Sequence, residues 1–174
     1  YRLDYAIHTY PKPLLVWGHG VVMGGGLGLM VGASPRVVTP STRLAMPEVN
    51  IGLYPDVGAS YFLNRLPRGL GLFLGMTACE WNGADAVSLG FADYLLKDSA
   101  RVLLEGHLAK TDWSKAPGAN RLQLTRVLQG LAAAEQHTQL MHVSDMLART
   151  CAAPLREVLR RLPALPINHA WFQT

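Results

Sequence analysis

The chain has 174 residues, which is about one domain's worth of sequence. Hydrophobic residues make up 49% and charged residues only 16%, which excludes intrinsic disorder because a disordered chain combines low hydrophobicity with high charge. The net charge is +4, and the excess of basic residues lies in the part of the chain after residue 96. No run of clustered Lys or Arg occurs, so we interpret this excess as a solvated helical face and expect no nucleic-acid partner.

The cysteines bear on the redox compartment of the protein, and one long uncharged stretch bears on whether it enters a membrane. Cys79 and Cys151 are too few for a disulfide framework and lack the C-x-x-C spacing of a metal site, so we expect a reducing compartment. Residues 13–35 carry no charged side chain and are long enough to span a bilayer. Because they include seven glycines, we predict buried core with a tight turn there and no membrane partner.

The amino-acid composition changes near residue 97, from glycine-rich to rich in Leu, Ala, Arg and Gln. We predict an α/β core over residues 1–96 and a helical region over residues 97–174. Short apolar runs bounded by Gly and Pro predict strands over residues 14–17, 36–39, 43–46 and 92–96. Apolar spacing and start or stop signals predict helices over residues 2–9, 24–32, 57–65, 69–76, 101–110, 121–134 and 154–162, with Asp56 as an N-cap. Alternating strands and helices of this kind indicate an α/β layer structure with helical appendages.

The glycine run Gly24-Gly25-Gly26 opens the helix predicted after the first strand. It matches neither the dinucleotide fingerprint nor a P-loop. It does place backbone N–H groups at a helix N-terminus, where they can stabilise an oxyanion that develops on a thioester or ester carbonyl. The alternative is that the glycines let the helix pack close to a strand, and the residues alone leave both open.

Two carboxylates stand out because residues 1–79 contain only three acids. Glu48 and Asp56 lie eight residues apart among apolar neighbours, and burial or a second carboxylate nearby raises the pKa of such a group toward neutrality. They are therefore candidate acid–base groups. The alternative is a surface turn for Glu48 and a simple helix cap for Asp56.

Other motifs for hydrolysis or metal binding fail. Gly58-Ala59-Ser60-Tyr61-Phe62 lacks the closing glycine of G-x-S-x-G, and the six histidines form no H-E-x-x-H. Cys79 lies in an apolar stretch and is interpreted as a packed thiol.

Taken in order, four segments carry a recognisable pattern. They are Lys12-Pro13, His19-Gly20-Val21-Val22-Met23-Gly24-Gly25-Gly26, Ala45-Met46-Pro47-Glu48 and Gly52-Leu53-Tyr54-Pro55-Asp56-Val57-Gly58. This set resembles the crotonase superfamily of enoyl-CoA hydratases and isomerases, and most closely its 3-hydroxyisobutyryl-CoA hydrolase branch. The resemblance is strong over residues 11–96 and rests on helical character after that.

The resemblance implies a spiral of ββα turns with a helical C-terminal region, and an acyl-CoA substrate such as a small β-hydroxyacyl-CoA. It implies that the Gly25 N–H is one half of an oxyanion hole, that Gly24 and Gly25 contact the substrate, that Glu48 is the catalytic glutamate and that Asp56 is the second acid. It implies no metal and no redox cofactor. It is compatible with a homo-oligomer, and with the bacterial cytoplasm or the mitochondrial matrix.

One departure from the superfamily pattern concerns Gly28. Hydratases carry a second glutamate three residues after the oxyanion glycine, and this chain has Gly28 there, so thioester hydrolysis is predicted over enoyl hydration. The alternative to an enzyme is a non-catalytic scaffold whose C-terminal helical region mediates assembly. The resemblance also implies that the chain is a fragment, because the family's opening strands supply the second oxyanion donor.

Overall fold

The computed structural model describes residues 1–67, 69–114, 116–131 and 133–164. The strands are β1 (Val16–Gly18), β2 (Val21–Met23), β3 (Arg36–Val38), β4 (Arg43–Ala45), β5 (Trp81–Asn82) and β6 (Tyr94–Leu95). The α-helices are α1 (Arg2–His8), α2 (Gly25–Gly32), α3 (Ala59–Leu63), α4 (Leu70–Thr77), α5 (Gly83–Ser88), α6 (Ala100–Lys110), α7 (Pro117–Gln129), α8 (Ser144–Cys151) and α9 (Leu155–Arg161). Short 3₁₀ helices cover Pro47–Ile51, Met141–Val143 and Leu162–Ala164.

The strands form two sheets that the chain visits alternately. One sheet has the order β1-β3-β6 with all strands parallel, and the other has the order β2-β4-β5 with β5 antiparallel to β4. After β1 the chain adds β2 to the second sheet, returns through α2, and repeats the pattern with β3 and β4. This ββα alternation confirms the predicted spiral and divides the uncharged stretch 13–35 between strands and a helix.

The turn between β1 and β2 depends on glycine and on hydrogen bonds from the strand that follows. Gly20 has φ +59°, a conformation that glycine adopts without steric cost. The Thr42 hydroxyl donates to the Gly18 carbonyl at 2.9 Å, and the Arg43 N–H donates to the Gly20 carbonyl at 2.7 Å. These hydrogen bonds from Thr42 and Arg43 therefore fix the turn, and with it the position of β2 and of the glycine run that follows.

The first sheet is buried on both faces, as its short apolar runs predict. Val38 belongs to one apolar cluster, with α2, α4 and the second sheet, whereas Val37 belongs to another beneath α6 and α7. Trp81 fills the first cluster, with its ring 5.2 Å from that of Phe91. Cys79 is buried at its edge, where burial and then the charge of Asp85 raise the pKa of its thiol, which agrees with a packed thiol.

The C-terminal helices also contribute to the first cluster, through Leu147, Cys151 and Val158 of α8 and α9. Asp85 fixes the segment before them, since its buried carboxylate accepts the backbone N–H groups of Gln139 and Leu140 at 2.9–3.1 Å. Burial raises the pKa of Asp85, and these hydrogen bonds oppose that shift. The division at residue 96 stays a prediction.

Several elements differ from the sequence prediction. Strands β2 and β5 and helices α5 and α8 were not predicted. Both strands pair with β4, so their formation depends on a contact with a separate segment of the chain. Helix α7 begins at Pro117, four residues before the predicted start, with proline at its first position, where proline's missing N–H is harmless. No helix among the described residues is long and apolar enough to cross a membrane.

Candidate active site

Helix α2 follows β2 directly, and its first turn is made of consecutive glycines. Gly24 is the N-cap with φ +51°, and its N–H donates to the Ala45 carbonyl at 3.1 Å, which ties the turn to β4. The amides of Gly25 and Gly26 lie in the first helical turn, where N–H groups have no intrahelical acceptor. Together with the helix dipole, they make this end of α2 a donor site for a partial negative charge.

The space around the three glycines differs from one residue to the next. A Cβ at Gly24 would lie 2.6 Å from Oε1 of Glu48, whereas a Cβ at Gly25 or Gly26 would meet no atom within 4 Å. The glycine run therefore approaches a carboxylate on one side and open space on the other. This geometry disfavours the alternative in which the glycines serve helix–strand packing.

Glu48 lies on the 3₁₀ helix Pro47–Ile51, which follows β4 directly. Its carbonyl accepts the Leu53 N–H at 3.0 Å, and Gly52 ends the helix with φ +74°. The residue is only 7% exposed, so it is not the surface turn residue of the alternative interpretation. Its Oε2 is buried without a hydrogen-bond partner among the described residues. Because leaving a buried polar atom unpartnered is costly, such an atom marks a place where a ligand or water binds.

Asp56 lies on the loop between this 3₁₀ helix and α3, and it is partly exposed. The predicted N-cap role is wrong: the cap of α3 is Gly58, with φ +83°, and no side chain caps the helix. Only the Asp56 carbonyl joins the turn, accepting the Ala59 N–H at 2.8 Å. The Tyr1 hydroxyl donates to Asp56 Oδ2 at 3.1 Å, and this hydrogen bond, with the charge of Asp56, raises the pKa of the Tyr1 phenol. The Asp56 side chain is thus available to hydroxyl donors.

The loop that carries Asp56 is fixed onto α2 through the next residue. Val57 adopts φ +45°, an unusual conformation for a β-branched residue. A Cβ at Gly28 would lie 2.5 Å from Val57 Cβ and 3.1 Å from its carbonyl oxygen. Close approach of Val57 therefore requires glycine at position 28, one helical turn after Gly24.

The structure thus brings Gly24 and Glu48 side by side, with Gly25 adjacent, and anchors the Asp56 loop on the same helix. In the described part of the chain, no hydrogen bond joins the Glu48 carboxylate to the Asp56 carboxylate. The arrangement combines amide donors with a buried carboxylate that has one unsatisfied oxygen. Chemically, such a site can hold a carbonyl oxygen and bring a base or nucleophile to its carbon.

Comparison with known proteins places this chain in a family. The profile described as enoyl-CoA hydratase/isomerase matches residues 1–174. The chain belongs to this family. A solved enoyl-CoA hydratase from Rhodobacter sphaeroides superimposes with a TM-score of 0.79 and 31% sequence identity, covering 96% of this chain and 45% of that one.

Curated relatives are similar over part of the chain. A probable 3-hydroxyisobutyryl-CoA hydrolase of Arabidopsis thaliana is 43% identical over 63% of this chain, and the mitochondrial 3-hydroxyisobutyryl-CoA hydrolase of Xenopus tropicalis is 44% identical over 62%. The small ribosomal subunit protein mS47 of Neurospora crassa is 42% identical over 63%. These matches span 29%, 28% and 22% of the relatives' own lengths.

Two features of the site were not found from the sequence. Val57 was not singled out, because nothing in a Pro-Asp-Val-Gly sequence predicts a positive φ angle at the valine. The contact between Tyr1 and Asp56 joins residues 55 positions apart, and no local pattern encodes such a pairing. The glycine at position 28 was the available signal, since a glycine inside a helix suggests close approach of another segment.

Proposed function

We propose that this chain carries the catalytic groups of an acyl-CoA thioester hydrolase that acts on a small β-hydroxyacyl-CoA such as 3-hydroxyisobutyryl-CoA. The observation that carries the proposal is the contact between Gly24 and Glu48, which sets a buried carboxylate with an unpartnered Oε2 beside helix-terminal amides. The names of the Arabidopsis and Xenopus relatives support the thioester substrate.

In the proposed mechanism, the thioester carbonyl oxygen accepts the Gly25 N–H. Either a water molecule deprotonated by Glu48 or the Glu48 carboxylate itself attacks the carbonyl carbon. Negative charge then collects on the oxygen held by the amide, where the helix dipole stabilises it. The tetrahedral intermediate collapses, the carbon–sulfur bond breaks, and the CoA thiolate leaves and takes up a proton. If Glu48 attacks directly, water then cleaves the resulting anhydride and restores the carboxylate.

Asp56 is the proposed partner of the substrate's β-hydroxyl. Its Oδ2 already accepts a hydroxyl donor, that of Tyr1, so the carboxylate is oriented for an O–H group. A substrate hydroxyl that replaced the Tyr1 hydroxyl would make the same hydrogen bond. We therefore expect Asp56 to favour β-hydroxyacyl chains over unsubstituted ones.

A direct test compares two reactions on one preparation of the full-length protein. Thiol release from 3-hydroxyisobutyryl-CoA is followed with a disulfide reagent, and loss of crotonyl-CoA by ultraviolet absorbance. The proposal predicts thiol release, with enoyl loss at least ~100-fold slower, the scale of one missing acid–base group. Fast enoyl loss without thiol release would contradict it and assign an enoyl-CoA hydratase instead.

A structural role is the second candidate, favoured by the similarity to mS47, which is named as a ribosomal subunit protein. Under this alternative, the chain would sediment with small ribosomal subunits and release no thiol. Under the hydrolase proposal, it stays in the unbound fraction and retains thiol release. The mitochondrial name of the Xenopus relative supports the mitochondrial matrix for a eukaryotic source.

A further inference from the structure

The loop between β3 and β4 carries three hydroxyl side chains that lie within hydrogen-bonding distance of one another. Thr39 Oγ1 lies 2.8 Å from Ser41 Oγ and 3.3 Å from Thr42 Oγ1. The Thr39 N–H donates to Thr42 Oγ1 at 2.8 Å. Thr39 and Thr42 are buried, so hydrogen bonds between them are shielded from water and are electrostatically stronger than exposed ones. The loop is therefore held together by its own side chains.

Each end of this network meets a group that accepts hydrogen bonds and donates none. At one end the Ser41 hydroxyl donates to Asp98 Oδ1 at 2.6 Å, and at the other the Thr42 hydroxyl donates to the Gly18 carbonyl at 2.9 Å. Each hydroxyl has one hydrogen, so that of Thr39 is left to donate toward Ser41 or Asp98. Hydrogen bonds from Ser41 and then Thr39 lower the pKa of Asp98, which keeps its carboxylate an acceptor at neutral pH.

The residues that directly follow the loop contact the glycine turns and lead to the buried carboxylate. The Arg43 N–H donates to the Gly20 carbonyl at 2.7 Å, and the Ala45 carbonyl accepts the Gly24 N–H at 3.1 Å. Three residues further on, Glu48 Oε1 lies where a Cβ at Gly24 would be 2.6 Å away. One short segment therefore holds the glycine run and supplies Glu48, so its position sets the separation between the amides and the carboxylate.

We propose that this hydroxyl network positions the glycine amides against the Glu48 carboxylate, with Thr42 and Asp98 as positioning residues of the hydrolase. This inference rests on the proposed function. Thr42 ties the start of β4 to the turn before β2, and Asp98 fixes the loop from the segment that leads into α6. The Gln136 side-chain amide also holds this loop, donating to the Pro40 carbonyl at 3.0 Å. Loss of Asp98 is therefore partly compensated, whereas loss of the Thr42 hydroxyl is not.

The first test measures kcat and KM for thiol release in variants of the full-length protein. Thr42→Val keeps the side-chain shape without the hydroxyl, and it is expected to lower kcat at least ~5-fold with little change in KM, since a misplacement of about 1 Å can cost ~100-fold. Thr42→Ser keeps the hydroxyl and should restore most of kcat. The matched control is Thr77→Val, because the Thr77 hydroxyl also donates to a carbonyl, that of Phe73 at 2.7 Å, and accepts an N–H, that of Cys79 at 3.3 Å. The control should lower Tm and leave kcat unchanged.

The second test is a double-mutant cycle, which shows whether the network acts as a unit. Asp98→Ala is expected to lower kcat about 3-fold, a modest coupling for such a cycle, because Gln136 still holds the loop. Asp98→Asn keeps an acceptor oxygen and should retain the parental kcat. Since both residues act through the same loop, adding Asp98→Ala to Thr42→Val should lower kcat no further.

Three results would overturn the inference: a Thr42→Val variant with the parental kcat, equal losses of kcat in Thr42→Val and Thr77→Val, or losses that add in the double variant. The amide resonances of Gly24, Gly25 and Gly26 in nuclear magnetic resonance spectra give a readout that needs no activity. They should shift in Thr42→Val and stay in place in Thr77→Val, and unshifted resonances in Thr42→Val would also overturn it. Failure of the proposed function is a separate result, since it appears as a parent that releases no thiol.

Discussion

Glu48 and Asp85 are both buried carboxylates on short helical elements, yet their surroundings are opposite. Asp85, which is fully buried, accepts the backbone N–H groups of Gln139 and Leu140 and so joins two distant segments. Glu48 places Oε1 against the Gly24 turn and leaves Oε2 without a partner among the described residues. A satisfied carboxylate stabilises the fold, whereas one with an open oxygen keeps its hydrogen-bonding capacity for a ligand. The contrast supports a structural role for Asp85 and the chemical role that we propose for Glu48.

The largest expected effect is at Glu48. Glu48→Gln keeps the side-chain shape but removes its basicity and nucleophilicity, so we predict that kcat for thiol release falls at least ~100-fold. The free energy of unfolding should change little, because no residue in the described part of the chain donates a hydrogen bond to this carboxylate. Glu105→Gln, on the exposed face of α6, is the control and should retain full activity. Activity of Glu48→Gln within a few-fold of the parent would remove Glu48 from the mechanism.

Gly25 tests the amide side of the same site. Because a Cβ at this position meets no atom within 4 Å, Gly25→Val should fold normally, with a Tm near that of the parent. Its side chain would project into the open space where the substrate carbonyl is proposed to bind. We predict a loss in kcat/KM of roughly 3 kcal/mol, carried mainly by kcat, as for removal of one oxyanion donor. Equal damage to Tm and rate would support a packing role instead.

Asp85 should show the converse pattern. Asp85→Ala leaves the buried amides of Gln139 and Leu140 without acceptors, so the free energy of unfolding should fall by about 2–4 kcal/mol. Urea denaturation followed by circular dichroism measures this change. The matched control is Asp145→Ala on α8, a more exposed acid, for which about 0.5 kcal/mol or less is expected. A similar loss in both variants would contradict the role assigned to Asp85.

The smallest expected effect concerns the ion pair between Arg36 and Asp93. Burial alone would raise the pKa of Asp93, but the guanidinium and backbone N–H of Arg36, at 2.7–3.1 Å, outweigh it and lower that pKa. The pair therefore stabilises the fold above the ordinary aspartate pKa, about 3.9, and this contribution is lost as the pH falls toward the lowered value. Arg36→Met should lower Tm at pH 7, by an amount worth about 1 kcal/mol for a partly exposed pair, and by less at pH 3. A Tm difference that grows on acidification would contradict this.

The sequence predicted which candidate residues lie together better than it predicted the secondary structure. Scarce acids and clustered glycines made Glu48, Gly24 and Gly25 candidates, the family resemblance assigned them to one site, and the structure places them close together. The predicted cap at Asp56 was wrong because Gly58, with φ +83°, starts α3 without any side-chain acceptor. Asp85 was not identified, since its partners lie 54 and 55 residues away and only the folded chain brings them together.

The contrast between the two carboxylates can be tested in one crossed measurement. The rate of thiol release from 3-hydroxyisobutyryl-CoA is determined per folded molecule for the parent, Glu48→Gln and Asp85→Asn, with the folded fraction read from denaturation curves of the same samples. We predict that Glu48→Gln is fully folded and inactive, while Asp85→Asn is less stable but keeps the parental rate per folded molecule. The opposite result, an active Glu48→Gln and an Asp85→Asn that is folded yet inactive, would contradict the assignment of chemistry to Glu48.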